Sequence, residues 1–209
     1  MNADYGFFEL QSKLLEIAVK IDEICNKYHI NYFLVGGSAL GAVRHKGFIP
    51  WDDDFDIGML EKDYRKFQEI APKEFEGTEL FLQTIDSEKE YNLPFIKVRD
   101  SSTTNMSRQH MKRKINHGVW IDIFMYETLP REKWKQTLYK KISAMIYICW
   151  NEDYSCGRLK SQIVKTGERI KGKKNLIKSL VNFAHQLGAN EEKEYMTTIA
   201  FPVKVPYSV

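Results

Sequence analysis

The sequence predicts an α+β protein, with helices and short strands mixed over residues 1–128 and a helical region over 129–209. Three observations predict it. Leu10, Leu14, Ile17, Ile21, Ile24 and Tyr28 recur at three- and four-residue steps, the period of a helix with one buried face. Four short apolar runs, "YFLV", "LFLQTI", "LPFIKVRD" and "GVWIDIFMY", read as strands. From Pro130 almost to "HQLG" the pattern is helical again. At 209 residues the chain can bury a sizeable core, as one domain or one and a half.

The elements follow in order. "YHIN" breaks the first helix, and "YFLV" is a short buried strand. Gly36 and Gly37 then make a tight turn, Ser38 takes the N-cap position, and "ALGAVRH" forms a short helix. "KGFIP" turns the chain into "WDDDFDIGML", read as a strand, and Glu61 to Ala71 reads as a helix closed by Pro72. The remaining three strands and the helical region come after it, with no internal repeat and no low-complexity linker.

Composition narrows the class. Charged residues are 28% and hydrophobic ones 43%, the balance of a soluble globular protein. No apolar run reaches spanning length, and "MNADYGFFELQSK" lacks a basic n-region, so a cytoplasmic location is expected. Cys25, Cys149 and Cys156 are odd in number and form no C-x-x-C pair, which argues against a disulfide framework or a zinc knuckle. The net charge of +3 hides an uneven distribution: Arg158 to Lys178 holds eight basic residues and one acidic.

The stretch from Phe33 to Met59 carries the chemistry. Four aspartates fall within Asp52–Asp56, and on a strand Asp52, Asp54 and Asp56 share one face while Phe55, Ile57 and Met59 share the other. A divalent cation would make that row tolerable, since Mg²⁺ takes hard oxygen ligands. A solvated acidic turn is the alternative. Asp122 stands inside the apolar "GVWIDIFMY", where a carboxylate must be paired or metal-linked. An EF-hand is excluded, because counting from Asp52 puts Ile57 where that loop wants glycine and Asp63 where it wants glutamate. A strand, "GGS" and a helix place backbone N–H groups where an anion can bind.

Together, "GGS…DFDIG" resembles the nucleotidyltransferase fold shared with DNA polymerase β. More narrowly, "GGSALGAVRHKGFIPWDDDFDIGM", "LPFIKVRDSSTT" and "GVWIDIF" resemble the LicD family, which also embraces the fukutin-related sugar-modifying proteins. The resemblance implies a nucleotidyltransferase-like core of small mixed sheet and flanking helices. It implies transfer of phosphocholine, or a related phospho-alcohol, from CDP-choline or a related CDP-alcohol donor to a hydroxyl of a cell-surface glycan. Carried over by motif, Asp54 and Asp56 bind Mg²⁺ (or Mn²⁺), and Asp122 is the third carboxylate, sharing a metal or acting as general base. Gly36, Gly37 and Ser38 become the phosphate cradle, and Lys97 and Arg99 face the donor phosphates. Members continue into an F-E-G stretch and a Y-G-D block that this chain, stopping at "FPVKVPYSV", lacks, so the helical region is expected to be incomplete.

Other residues weigh less. Arg44 suits phosphate through its fixed guanidinium, while His45 reads as a structural hydrogen-bonder. Asp52 and Asp53 shape the turn, Trp51 belongs to the core or stacks on a base, and Asp100 orients Arg99 or ends its strand. Lys97 and Arg99 also fit an exposed edge strand. His29, His110, His117 and His185 show no metal-ligand spacing. The basic stretch 158–178 is a solvated helix face, a contact for an anionic membrane surface or polyanionic glycan, or, last in rank, a nucleic-acid site.

Overall fold

A computed structural model describes residues 6–106, 111–152, 155, 158–189 and 192–207; His110 and Cys156 lie outside the described residues. The chain divides into two compact units, Met1–Tyr91 with Phe95–Met125, and Asn92–Pro94 with Tyr126–Val209.

In the first unit, α1 (Phe8–Tyr28) buries Leu14, Ile17, Ile21, Ile24 and Cys25 along the stripe its periodicity predicts. His29 turns left-handed at φ 51° to close it, and the Ile30 N–H returns to the Cys25 carbonyl at 2.9 Å. β1 (Phe33–Leu34) pairs antiparallel with β2 (Asp56–Leu60), with Leu34 opposite Ile57. Between them run α2 (Gly36–His45) and the loop that carries the aspartates. α3 (Glu61–Glu74) follows β2, with Glu61 and Asp63 in its first turn where the helix dipole favours negative charge. β3 (Leu80–Gln83), β4 (Ile96–Asp100) and β5 (Val119–Thr128) complete a sheet of order β1-β2-β5-β4-β3.

Side-chain alternation gives this sheet two unlike faces. Ile57, Met59, Leu82, Ile96, Val98, Ile121 and Ile123 join the α1 and α3 stripes in one apolar core. The opposite face carries Asp56 on β2, Asp122 on β5, and Lys97 and Arg99 on β4. The antiparallel register sets Lys97 directly across from Asp122 and Arg99 across from Trp120.

The second unit packs α4 (Lys133–Asn151), α5 (Arg158–Lys171) and α6 (Lys173–Gly188). Its polar centre is Glu127, near the end of β5. The buried Tyr139 hydroxyl donates to Glu127 Oε1 at 2.5 Å, and His185 Nδ1 lies 2.5 Å from Oε2. Cys25 and Cys149 are free, buried thiols.

Several expectations are corrected. The strand with the aspartates begins at Asp56, so Asp52–Asp54 lie in the preceding loop rather than on a strand face. α2 begins at Gly36 with Val35 as its N-cap, so Ser38 is a helical residue. α3 runs past Pro72, whose missing N–H falls in the last turn, and the Phe75 N–H still reaches the Ala71 carbonyl. β4 lies between β5 and β3, so Lys97 and Arg99 are not on an edge strand. Residues 129–209 are not wholly helical, since β6 (Tyr195–Thr197) pairs with the end of β5 and with β7 (Val205–Pro206). These strands are too short to declare a period of two.

Lys97→Met is expected to lower stability by about 3–5 kcal/mol, because it leaves the Asp122 carboxylate enclosed without its cation. Adding Asp122→Asn should recover part of that loss in urea unfolding; no recovery would mean that the two groups are not coupled. In the second unit, Tyr139→Phe is expected to cost about 1–3 kcal/mol, by removing a donor from a buried carboxylate.

Candidate active site

The glycine turn and the acidic strand are fastened to each other. The Asp56 N–H donates to Ser38 Oγ at 2.9 Å, and the Val35 N–H donates to the Asp56 carbonyl at 3.2 Å. Gly36 sits at φ 56°, where a side chain is strained. A Cβ on Gly36 would stand 3.4 Å from Asp56 Oδ2, and one on Gly37 only 2.5 Å from Asp52 Oδ2. Gly36 is fixed by its left-handed backbone, and Gly37 by the Asp52 carboxylate that rests against it.

The acidic loop is held from α1. Gln11 Nε2 donates to the carbonyls of Ile49 at 3.1 Å and Asp52 at 2.8 Å, while the Asp52 N–H bonds the Ile49 carbonyl at 2.9 Å. This folding brings oxygens of Asp52, Asp53 and Asp54 within 4.8 Å of one another. Trp51 is 57% exposed rather than part of the core, with the His45 ring edge-on at 6.1 Å. Arg44 is exposed on the last turn of α2.

Charge is concentrated on the polar face of the sheet. Burial pushes the Asp56 carboxyl up to about 8, helped by the nearby charges of Asp122 and Asp54 and opposed by Lys97. Burial also raises Asp54, to about 6, with Asp52 the largest of its acidic neighbours. Lys97 is 4% exposed. Burial lowers its pKa against the pull of Asp122, with which it forms an ion pair. Its ammonium lies 4.5 Å from the Trp120 ring centre and 5.3 Å from that of Phe95. Trp120 Nε1 donates to Asp122 Oδ2 at 3.2 Å, so both oxygens of Asp122 are engaged.

Of the residues singled out, Gly36, Gly37, Ser38, Asp54 and Asp56 adjoin at the turn and loop, with Asp122 and Lys97 next along the sheet. Arg99 has a different setting. It is buried, donating through Nε to Gln83 Oε1 and through Nη1 to the Gly118 carbonyl, both at 2.6 Å. Asp100 does not orient Arg99. It accepts from the Ser102 N–H and hydroxyl and pairs with Lys13 at 3.3 Å. Gln11, Trp120 and Gln83 position site groups without being singled out by the sequence pattern; each reads there as an ordinary helix or strand residue.

Comparison with known proteins identifies the family. A family model described as LicD/FKTN/FKRP, nucleotidyltransferase domain, matches residues 29–152, more than half of the chain. Over 124 residues the chain is 33% identical to the lipopolysaccharide cholinephosphotransferase LicD of Haemophilus influenzae, covering 59% of this chain and 45% of that protein. Over 45 residues it is 42% identical to the ribitol 5-phosphate transferase FKRP of Mus musculus and of Homo sapiens, covering 22% of this chain and 9% of each of those. It therefore spans less than half the length of these relatives. The family match encloses the glycine turn, the loop aspartates Asp52–Asp54, Asp56, Lys97 and Asp122, and on that match the chain belongs to the LicD family.

Proposed function

We propose that the chain carries the nucleotidyltransferase-like core of a phospho-alcohol transferase. It moves phosphocholine, or a related group, from a CDP-activated donor to a hydroxyl of a cell-surface glycan such as lipopolysaccharide, teichoic acid or capsule. The observation that carries this reading is the Ser38–Asp56 hydrogen bond, which joins an anion-accepting turn to the acidic strand. The names of the relatives, a cholinephosphotransferase and a ribitol 5-phosphate transferase, support the same class of reaction.

The donor set suits a hard divalent cation: Asp54 and Asp56 are half-buried carboxylates that resist ionising beside other carboxylates, the setting a cation relieves. Bound there, Mg²⁺ or Mn²⁺ would offset negative charge on the donor phosphates. The chain's own groups do the rest. The first N–H groups of α2, which have no intrahelical acceptor, receive phosphate oxygen at the glycine turn. Arg44 supplies an exposed guanidinium from the last turn of the same helix. Lys97 and Arg99, both buried, lend positive potential from within the sheet rather than a flexible reach. Asp122, fixed between Lys97 and Trp120, completes the carboxylate set or takes the hydroxyl proton. The glycan oxygen bonds to the donor phosphorus, the phosphorus–oxygen bond to CMP breaks, and CMP leaves with its electron pair.

Two outcomes follow. In EDTA the raised Asp54 and Asp56 make the folded state bind more protons than the unfolded one, so stability falls as pH rises from about 4 towards 8. Melting temperature should therefore drop from pH 5 to pH 8 without metal, and Mg²⁺ should restore it more at pH 8. Asp56→Asn should flatten both effects, and an unchanged slope would remove Asp56 from the cluster.

Calorimetry in Mg²⁺ should show CDP-choline or another CDP-alcohol binding more tightly than CTP, with Asp54→Asn weakening it by about tenfold or more. Preference for CTP would assign nucleotidyl transfer instead, and binding of neither would end the transferase reading.

A further inference from the structure

We propose that the outward face of α5 is a docking surface for an anionic lipid bilayer. Leu159, Ile163 and Ile170 are 71%, 51% and 76% exposed. At 3.6 residues per turn they fall within about 40° of one another, so they form a single ridge rather than scattered apolar spots. Ser161 and Val164, on the opposite side, are buried in the unit's own core. Exposed cations flank the ridge, Lys160 and Lys171 along one side and Arg169 along the other. Among the exposed residues of the helix there is no acidic group.

An aliphatic ridge between two cationic margins matches a bilayer with negative headgroups. The aliphatic side chains enter the acyl boundary, while the long basic side chains reach back to phosphate. A nucleic acid or soluble polyanionic glycan would use the cations but has no counterpart for the ridge, and α5 contains no aromatic residue on which bases could stack. No helix of the described residues is long and apolar enough to cross a membrane, so the contact is one in which the helix lies on the surface. The inference is independent of the phosphotransfer reading, and its test contains no donor.

The test is flotation of the full chain with phosphatidylcholine vesicles, with and without phosphatidylglycerol. Binding is expected only or mainly with phosphatidylglycerol, at least about tenfold above phosphatidylcholine alone, and should weaken as salt is raised. Combined Leu159→Ser, Ile163→Ser and Ile170→Ser should cut binding by about tenfold or more. Lys160→Glu with Arg169→Glu should do the same. Circular dichroism and melting temperature should hold in both variants, because the altered side chains are exposed. The proposal is overturned if the parent floats with neither vesicle, or if the serine variant binds as well as the parent. It is also overturned if the serine changes leave vesicles unaffected but abolish a dimer, which would make the ridge an interface between two copies.

Discussion

A buried ammonium makes the charged side of the sheet possible. Three adjacent strands deliver Asp56, Asp122 and Lys97 to one face, and burial holds the Asp56 carboxylate back from ionising. Lys97 stands in contact with Asp122 and lowers the cost for Asp56 as well. The register between β4 and β5 is therefore doubly determined. Slipping β5 by one residue would turn Asp122 into the apolar core, away from Lys97, and turn Ile121 and Ile123 towards the site. Packing on one face and electrostatics on the other select the same pairing, which is the kind of agreement between levels that gives a chain one fold.

Parts of this were legible in the sequence because their signal is local. The α1 stripe follows from spacing alone, and Asp122 stands out because a carboxylate amid Trp120, Ile121, Ile123 and Phe124 calls for a partner. The family blocks lie within the matched residues 29–152 from Ile30 to Phe124. Other parts were not legible. Strand alternation placed Asp52 and Asp54 beside Asp56, but aspartate is a poor strand former and a good turn former, and the chain folds the first three into a loop. Ser38 looked like a helix cap because caps are read from near neighbours, yet its partner is the Asp56 N–H, 18 residues away. Lys97 was visible as a cation, but its burial depends on β4 being an inner strand, which no local pattern states.

Glycine serves this site by subtraction. At Gly37 the absent Cβ is the space that the Asp52 carboxylate occupies. At Gly41 a Cβ would meet the Gly47 carbonyl at 2.6 Å, so the loop leaving α2 could not fold back along it. The acidic loop is thus shaped on both flanks by what the helix lacks.

Gln11 gives the two central carboxylates different dynamical lives. Asp56 belongs to a sheet strand whose neighbours are buried, the part of a fold that opens only with large-scale unfolding. Asp54 belongs to the loop before that strand, which Gln11 holds from the first turns of α1, 38 and 41 residues away in sequence, at the carbonyls of Ile49 and Asp52. Helix ends fray at little cost in free energy, and each opening of that end releases the carbonyls of Ile49 and Asp52. One half of the carboxylate pair is therefore held by the sheet ladder, while the loop that carries the other is linked to the N-terminal helix. Local opening there can admit or release a ligand without disturbing the sheet.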